Sequence, residues 1–306
     1  MDRLEAMSLL VTAIEEGSLS AAGRKLGVPL PTVSRKVSEL EAHLKTQLLV
    51  RSTRKLGLTE AGASYIAACK RILEWVDEAE EQAAGEYSEP RGALTVTAPV
   101  AFGRLHVLPI VNEFLLRFPE INVRMTLSDR NVDLIDDHID MAVRIGELPD
   151  STMVATRVGA IRRVVCGSPA YFKAHGTPQK PADLNAHMSV AFAITSPASP
   201  WTFAKKGKGP AKPVHPVCRL AVNTAEAAVD AAVAGIGVTR VLSYQAAEAI
   251  RQGKLKIILQ NDEPAAIPVH LMHASQNILP LKTRYFLEFA APRIKRSLGG
   301  EPRACA

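Results

Sequence analysis

The sequence predicts an α/β protein in two unequal parts: a small helical head ending in a β-hairpin, and a larger region of alternating strands and helices. One long helix joins them. Three observations carry this. Apolar residues recur at helical intervals from Leu4 to Leu44. Two apolar triplets, Leu49-Val50-Arg51 and Leu56-Gly57-Leu58, then flank the basic Ser52-Thr53-Arg54-Lys55. Beyond Pro90-Arg91-Gly92, runs rich in Val, Ile and Thr alternate with helical stretches.

Taken in order, Leu4, Met7, Val11 and Ile14 predict an amphipathic first helix, stopped by Gly17. Ser20 is placed to cap a short second helix through Ala21, Ala22 and Leu26, with Gly27 at the left-handed terminating position. A third helix runs from about Leu30 to Leu44. Its Val33, Val37, Leu40 and Leu44 form one buried stripe and leave Thr32, Ser34, Arg35, Lys36 and Glu39 facing away. Hydroxyls and paired cations on an exposed helix suit a major groove, where cations meet phosphates or guanine edges and hydroxyls meet either. The hairpin after it has a basic tip suited to backbone or minor-groove contact, the role of a wing. Together these elements read as a winged helix-turn-helix over residues 1–59.

Thr59 is placed to cap a long helix over 60–85, where Tyr65, Cys69, Ile72, Val76, Ala79 and Ala83 repeat at four and three residues. That repeat fits a dimer seam or a surface helix packed on its own domain; the acidic outer face and the join between two domains favour the seam. Charge supports the division. Arg24, Lys25, Arg35, Lys36, Lys45, Arg51, Arg54 and Lys55 face only Glu39 and Glu41 across that stretch, whereas Ile72 to Glu89 holds seven acids and no Lys or Arg. A net charge of +6 over 306 residues would by itself say little.

After the linker Ser88–Gly92, the predicted strands are Leu94–Thr97, Ile121–Leu127, Ile139–Ile145, Arg219–Val222, Gly237–Val241 and Leu255–Leu259. Helices fall between them, from Leu105 to Phe118, Ala225 to Ala234 and Tyr244 to Arg251. This is the pattern of a mainly parallel sheet, with too many strands for one compact sheet. Lys205–Pro213 reads as an exposed hairpin tip. In such a fold ligands bind at the carboxyl ends of strands, where helix N-termini converge. Thr97, Ala98, Pro99, Val100 and Ala101 form one such corner, and Asn223 with Thr224 another. Two helix N-termini facing one cleft favour an anion, with Arg144 as its counter-charge. Each has a plainer reading: Thr97 as a strand residue, Asn223 as a cap, Arg144 paired to Asp140 or Glu147.

GSLSAAGRKLG, TVSRKVSELE, LLVRSTR and LTEAG resemble the DNA-binding domain of LysR-type transcriptional regulators. GALTVTAPVAFGRLHVLPIVNEFLLRFPEINV, DLIDDHIDMAVRIGEL and VVCGSPAYFKAHGTPQKPADL resemble that family's effector domain, so the resemblance covers about residues 1–296. It implies an effector-binding region over 90–306 like type 2 periplasmic binding proteins. Subdomain I would span 91–162 and 268–298, subdomain II 163–267, with the hinge near 162–167 and 267–270. It also implies duplex DNA, a small-molecule effector, a second copy of the chain and RNA polymerase as partners, and dimerisation through the long helix. The candidate DNA contacts are Ser20, Pro31, Thr32, Ser34, Arg35, Lys36, Arg51, Thr53 and Arg54. Three departures stand out: Pro29 and Leu30 where the family often has a capping Ser and a base-reading Gln, and Lys45 in place of a frequent Gly.

Other functions fit less well. His270 and His273 are the only close His pair, and their offset in a strand sends them to opposite faces. HExxH, GxSxG, P-loop and GxGxxG patterns are absent, and Asp136-Asp137 reads as a solvated turn. The expectation is a protein without metal, cofactor or catalysis. The four cysteines form no CxxC and are expected to be reduced and structural. Asp2, Arg3 and Glu5 precede any apolar stretch, unlike a secretory signal, and no apolar run reaches membrane length, which predicts a cytoplasmic location. A periplasmic solute-binding protein would need an export signal and would leave residues 1–60 unexplained. A ligand-free architectural DNA binder would leave the α/β region idle.

Overall fold

The computed structural model describes residues 2–51, 56–83, 89–130, 139–148, 153–192, 200–204, 213–274 and 279–299. Its contacts divide the chain into two units, 1–89 and 90–306.

The first unit opens with α1 (Arg3–Glu15), whose first turn is capped by Asp2 accepting from Leu4 N and Glu5 N. Its buried positions are Ala6, Leu9, Leu10 and Ala13 with Val11, while Leu4 is exposed and Met7 and Ile14 are half-buried. The predicted stripe is therefore displaced: α1 packs on several helices at once, so small Ala residues enter the core and the apolar face broadens. α2 (Leu19–Leu26) is capped by Ser18, which accepts from Ala21 N at 3.1 Å. Ser20, the expected cap, lies one residue inside the helix with its Oγ 3.2 Å from that of Ser18. Gly27 closes α2 in the left-handed region at φ 67. Gly23 makes the tight turn feasible, since a Cβ there would meet Val28 O at 2.5 Å.

α3 (Leu30–Leu44) buries Val33, Val37 and Leu40 completely. Pro29 stands at its N-cap without a side-chain hydrogen bond, and Lys45 ends it at φ 52. β1 (Leu49–Arg51) and β2 (Leu56–Leu58) pair antiparallel, Leu49 opposite Leu58 and Arg51 opposite Leu56. The Glu41 carboxylate accepts from Leu48 N and Leu49 N, tying the end of α3 to this hairpin. Thr59 caps α4 (Glu60–Ala83) through Gly62 N at 2.9 Å, as the sequence predicts. The helix divides the two readings of its repeat. Ile66 and Cys69 pack into the core of their own unit, while Ile72 and Trp75, further along, are exposed.

In the second unit β3 (Gly92–Ala98) leads into α5 (Val100–Phe102), a π-helical turn (Gly103–Val107) and α6 (Leu108–Arg117). Pro109 has no N–H to offer the Leu105 carbonyl and its ring crowds that oxygen, which accounts for the widened turn just before it. β4 (Ile121–Leu127), β5 (Met141–Ile145) and β6 (Met153–Ile161) follow. The chain then crosses at Arg162 into β7 (Arg163–Gly167), α7 (Pro169–His175), a 3-10 turn (Pro181–Ala186) and β8 (Met188–Phe192). β9 (Val217–Val222), α8 (Ala225–Val233), β10 (Val238–Leu242), α9 (Ser243–Arg251) and β11 (Lys256–Ile258) complete that half. The chain returns in β12 (Ile267–Ala274) and ends in α10 (Leu281–Gly299).

The first sheet has the order β4-β3-β5-β12-β6 and the second β11-β7-β10-β8-β9. In each sheet four strands run the same way, the mainly parallel pattern predicted, and one crossing strand, β12 in the first and β7 in the second, runs antiparallel to both of its neighbours. The crossovers lie at Arg162 and within 259–266; residues 163–167 and 267–270, expected in the hinge, belong to strands. The Arg162 guanidinium donates to both Glu263 carboxylate oxygens at 3.2 Å and ties one crossover to the other. The larger core, around Phe102, Phe114 and Phe286, belongs to the first half. The expected hairpin tip, apart from Pro213, and the Asp136-Asp137 turn lie outside the described residues.

Candidate functional site

The exposed face of α3 carries Pro31, Arg35, Ser38 and Ala42, while Thr32 and Ser34 are half-buried beside it. Arg35 Nη1 donates to Glu39 Oε1 at 2.6 Å, an exposed i,i+4 pair. Ser38 was missed from sequence, although its three-residue spacing from Arg35 sets it on the same face. Lys36 departs from the expectation. Its ammonium is held by the Glu5 carboxylate of α1 and is mostly shielded, because position 36 borders the buried stripe instead of opposing it. Arg51 sits in β1 beside the wing tip, and Thr53 and Arg54 lie outside the described residues.

At the carboxyl end of β3, Thr97 is fully buried and its hydroxyl donates to Thr126 O at 3.0 Å. That hydroxyl is spent within the sheet, contrary to the reading that offered it to a ligand. Ala98 and Ala101 are buried, Pro99 is half-buried and Val100 exposed. The helix mouth expected to hold free N–H groups is partly taken, since Val100 N donates to Asp129 Oδ1 at 3.1 Å. Arg144 reaches the same corner: its Nη1 lies 3.4 Å from Arg130 O, and burial lowers its pKa. Thr97–Ala101, Asp129, Arg130 and Arg144 are thus gathered at one end of the first sheet.

Asn223 and Thr224 lie at the end of β9, where the Thr224 hydroxyl accepts from Ala227 N at 3.3 Å. Both are exposed. The two halves approach each other here. Arg104, in the π-helical turn, lies 4.0 Å from Glu226 in the first turn of α8. Nearby, His106 stacks on Phe102 with ring centroids 4.7 Å apart, and both meet Tyr244 of α9 edge-on at 5.4 Å. His106 Nδ1 is 2.6 Å from Ser297 Oγ, and burial lowers its pKa below the ordinary value of 6.5. The Arg104–Glu226 ion pair and this aromatic cluster thus join elements of the two halves.

Among the described residues, no group of three His, Cys, Asp or Glu side chains is arranged to hold a metal ion, and no helix is long and apolar enough to cross a membrane. Burial pushes the Cys166 thiol up to about 12, so it stays protonated.

Two family profiles match the chain: "LysR substrate binding domain" over residues 88–295 and "Bacterial regulatory helix-turn-helix protein, lysR family" over residues 4–63. An HTH-type transcriptional regulator of Xanthomonas campestris pv. campestris is 33% identical over 290 residues, covering 94% of this chain and 84% of that protein. The HTH-type transcriptional activator AaeR of Escherichia coli is 31% identical over 296 residues, covering 94% and 95%. Among solved structures, CrgA of Neisseria meningitidis, a LysR-type transcriptional regulator, aligns with a TM-score of 0.59 at 29% identity over 95% of this chain and 98% of that one.

Proposed function

The chain belongs to the LysR family of DNA-binding transcriptional regulators, and from that premise we propose how it reads DNA and what it senses. Arg35 is the principal base-reading side chain of α3. Pro31, Thr32 and Ser34 line the same groove, and Ser20 meets a phosphate at the start of α2. Arg51, Thr53 and Arg54 of the wing bind phosphates or the minor groove, while Lys36 contributes mainly by fixing α3 against α1 through Glu5. The observation that carries this reading is the placement of Arg35, exposed above a fully buried Val33–Val37–Leu40 stripe and, among the described residues, engaged only by the exposed Glu39. An exposed i,i+4 pair contributes roughly 0.3–0.5 kcal/mol, so DNA replaces Glu39 at little cost.

The effector is a small anion held between the two halves of the second unit, near Thr97–Ala101, Arg144, Asn223 and Thr224. The partly buried Arg144 guanidinium at the carboxyl end of the first sheet supports this. Effector binding changes the separation of the halves and, through α4, the spacing of two DNA-reading heads in a homo-oligomer. RNA polymerase is the further partner, and the protein works in the cytoplasm without catalysis.

Fluorescence anisotropy on operator and random duplexes across a salt series tests the head. Arg35→Ala loses about 1–3 kcal/mol and relaxes discrimination, whereas Arg54→Ala weakens all sequences alike and flattens the salt slope by about one unit. Undiminished discrimination in Arg35→Ala overturns the assignment of α3 residues.

A further inference from the structure

A cation taken out of water needs a counter-charge or the charge is opposed by its surroundings. In the second sheet, Arg240 of β10 shares a strand face with Val238, which packs in one core with Trp201 and Phe203. Its guanidinium carbon is 5.2 Å from the Trp201 ring centroid, and its Nη1 lies 3.4 Å from Thr202 O. The antiparallel register sets Arg240 opposite Val165 and Leu242 opposite Arg163, so Arg163 is its diagonal neighbour on the same face. Burial first, and then the charge of Arg163, pull the Arg240 pKa down to about 10. Among the described residues no carboxylate is within ion-pair distance of either arginine; of the two acids at the neighbouring crossover, Asp262 and Glu263, the second is bound to Arg162. Two guanidinium groups therefore share one half-buried face, with no carboxylate partner among the described residues, near the end of the sheet where β10 passes into α9.

We propose that Arg163 and Arg240, with Trp201 as the platform that orients Arg240, form a subsite for a small oxyanion. The guanidinium fork matches two oxygens of a carboxylate or a phosphate, and a second cation alongside makes it selective for anions over neutral molecules. The ring fixes the plane of Arg240, so part of the ordering cost of binding is met in advance. The regulatory meaning of this subsite rests on the anionic-effector reading, whereas anion binding at these residues is tested separately.

The experiment uses the full chain at constant ionic strength, with chloride replaced by benzoate in one arm and by inorganic phosphate in another, and reads the melting temperature. The wild type rises by about 5–10 °C when the anion reaches about a hundred times its Kd. Arg240→Met keeps a sulfur–aromatic contact on Trp201 but no charge. It melts at or above the wild type without anion and loses the anion-induced rise. Arg240→Lys folds with the charge retained and the fork removed, and its affinity falls about tenfold or more. Arg163→Gln loses part of the response. A rise in benzoate alone identifies a carboxylate site, a rise in phosphate alone a phosphate site. If Arg240→Met keeps the full rise, or if neither anion raises the wild type, the subsite is refuted. If Arg144→Ala abolishes the rise while Arg240→Met does not, the anion belongs to Arg144: the effector reading stands and this inference fails.

Discussion

Two ion pairs, one in the helical head and one in the α/β unit, treat charge in opposite ways. In the head, Arg35 and Glu39 meet at 2.6 Å with side chains 63% and 39% exposed. In the α/β unit, Arg162 and Glu263 meet at 3.2 Å with side chains 31% and 11% exposed. The first pair, exposed to solvent, is held weakly and is open to exchange. The second is enclosed between two crossovers, where either partner left alone is costly. Exposed charge serves exchange, and enclosed charge fixes geometry.

The largest effect expected from this contrast is at the crossovers. Glu263→Ala leaves Arg162 partly buried and unpaired and costs about 2–3 kcal/mol, a value below the fully buried range because Arg162 keeps some solvent. Glu39→Ala costs less than about 0.5 kcal/mol. Urea unfolding of the full chain measures both. Burial raises the Glu263 pKa even though Arg162 pulls it down. A raised carboxyl stabilises most below its ordinary 4.5 and loses that contribution as pH rises through the folded value. The pair is thus no net source of stability at neutral pH, and replacing both members, Arg162→Met with Glu263→Leu, recovers most of the loss. Equal costs for Glu263→Ala and Glu39→Ala break the contrast.

A smaller effect is expected at His106, between the halves of the α/β unit. Its pKa is lowered by burial, so an unfolded chain takes up the proton first. The stability of this unit is full above pH 6.5 and is lost as pH falls through the depressed folded value. His187 shifts the same way, through burial and the neighbouring His175. His106→Gln therefore flattens the stability profile below pH 6.5 without abolishing its slope. A parallel, unflattened profile assigns the slope to His187 alone.

How much of this was legible in the sequence follows the range of the interactions. The α3 stripe, Gly27 and the Thr59 cap were readable because each is written within a few residues. Sequence points to Ser20 where the structure uses Ser18, because both are good capping residues and only the backbone decides which stands outside the helix. The α1 stripe was displaced because a helix packed on several sides no longer shows a single narrow period. Contacts between distant residues left no local mark. Lys36 with Glu5 spans 31 positions, Val100 with Asp129 spans 29, and Arg162 with Glu263 spans 101. The candidate cleft was therefore readable as a fold position, while the groups that occupy its corners were not. Met188–Phe192 was overlooked because five residues without a flanking hairpin signal carry little period.

The smallest effect expected is at Lys45, and it tests whether exposed cations in the head are as inexpensive as the contrast requires. Lys45 ends α3 in the left-handed region at φ 52, where a Cβ crowds the backbone. Glycine relieves that crowding but gains entropy in the unfolded chain, so Lys45→Gly is expected to stabilise by about 0.5–1 kcal/mol. Lys45→Ala removes the same charge and keeps the crowding. If crowding is the cost, alanine gives no gain, and asparagine, which tolerates this region, recovers part of the glycine gain. Thermal unfolding of the three variants separates the cases. Should alanine stabilise as much as glycine, repulsion among the cations of the head is the cost, and exposed charge there is not inexpensive after all.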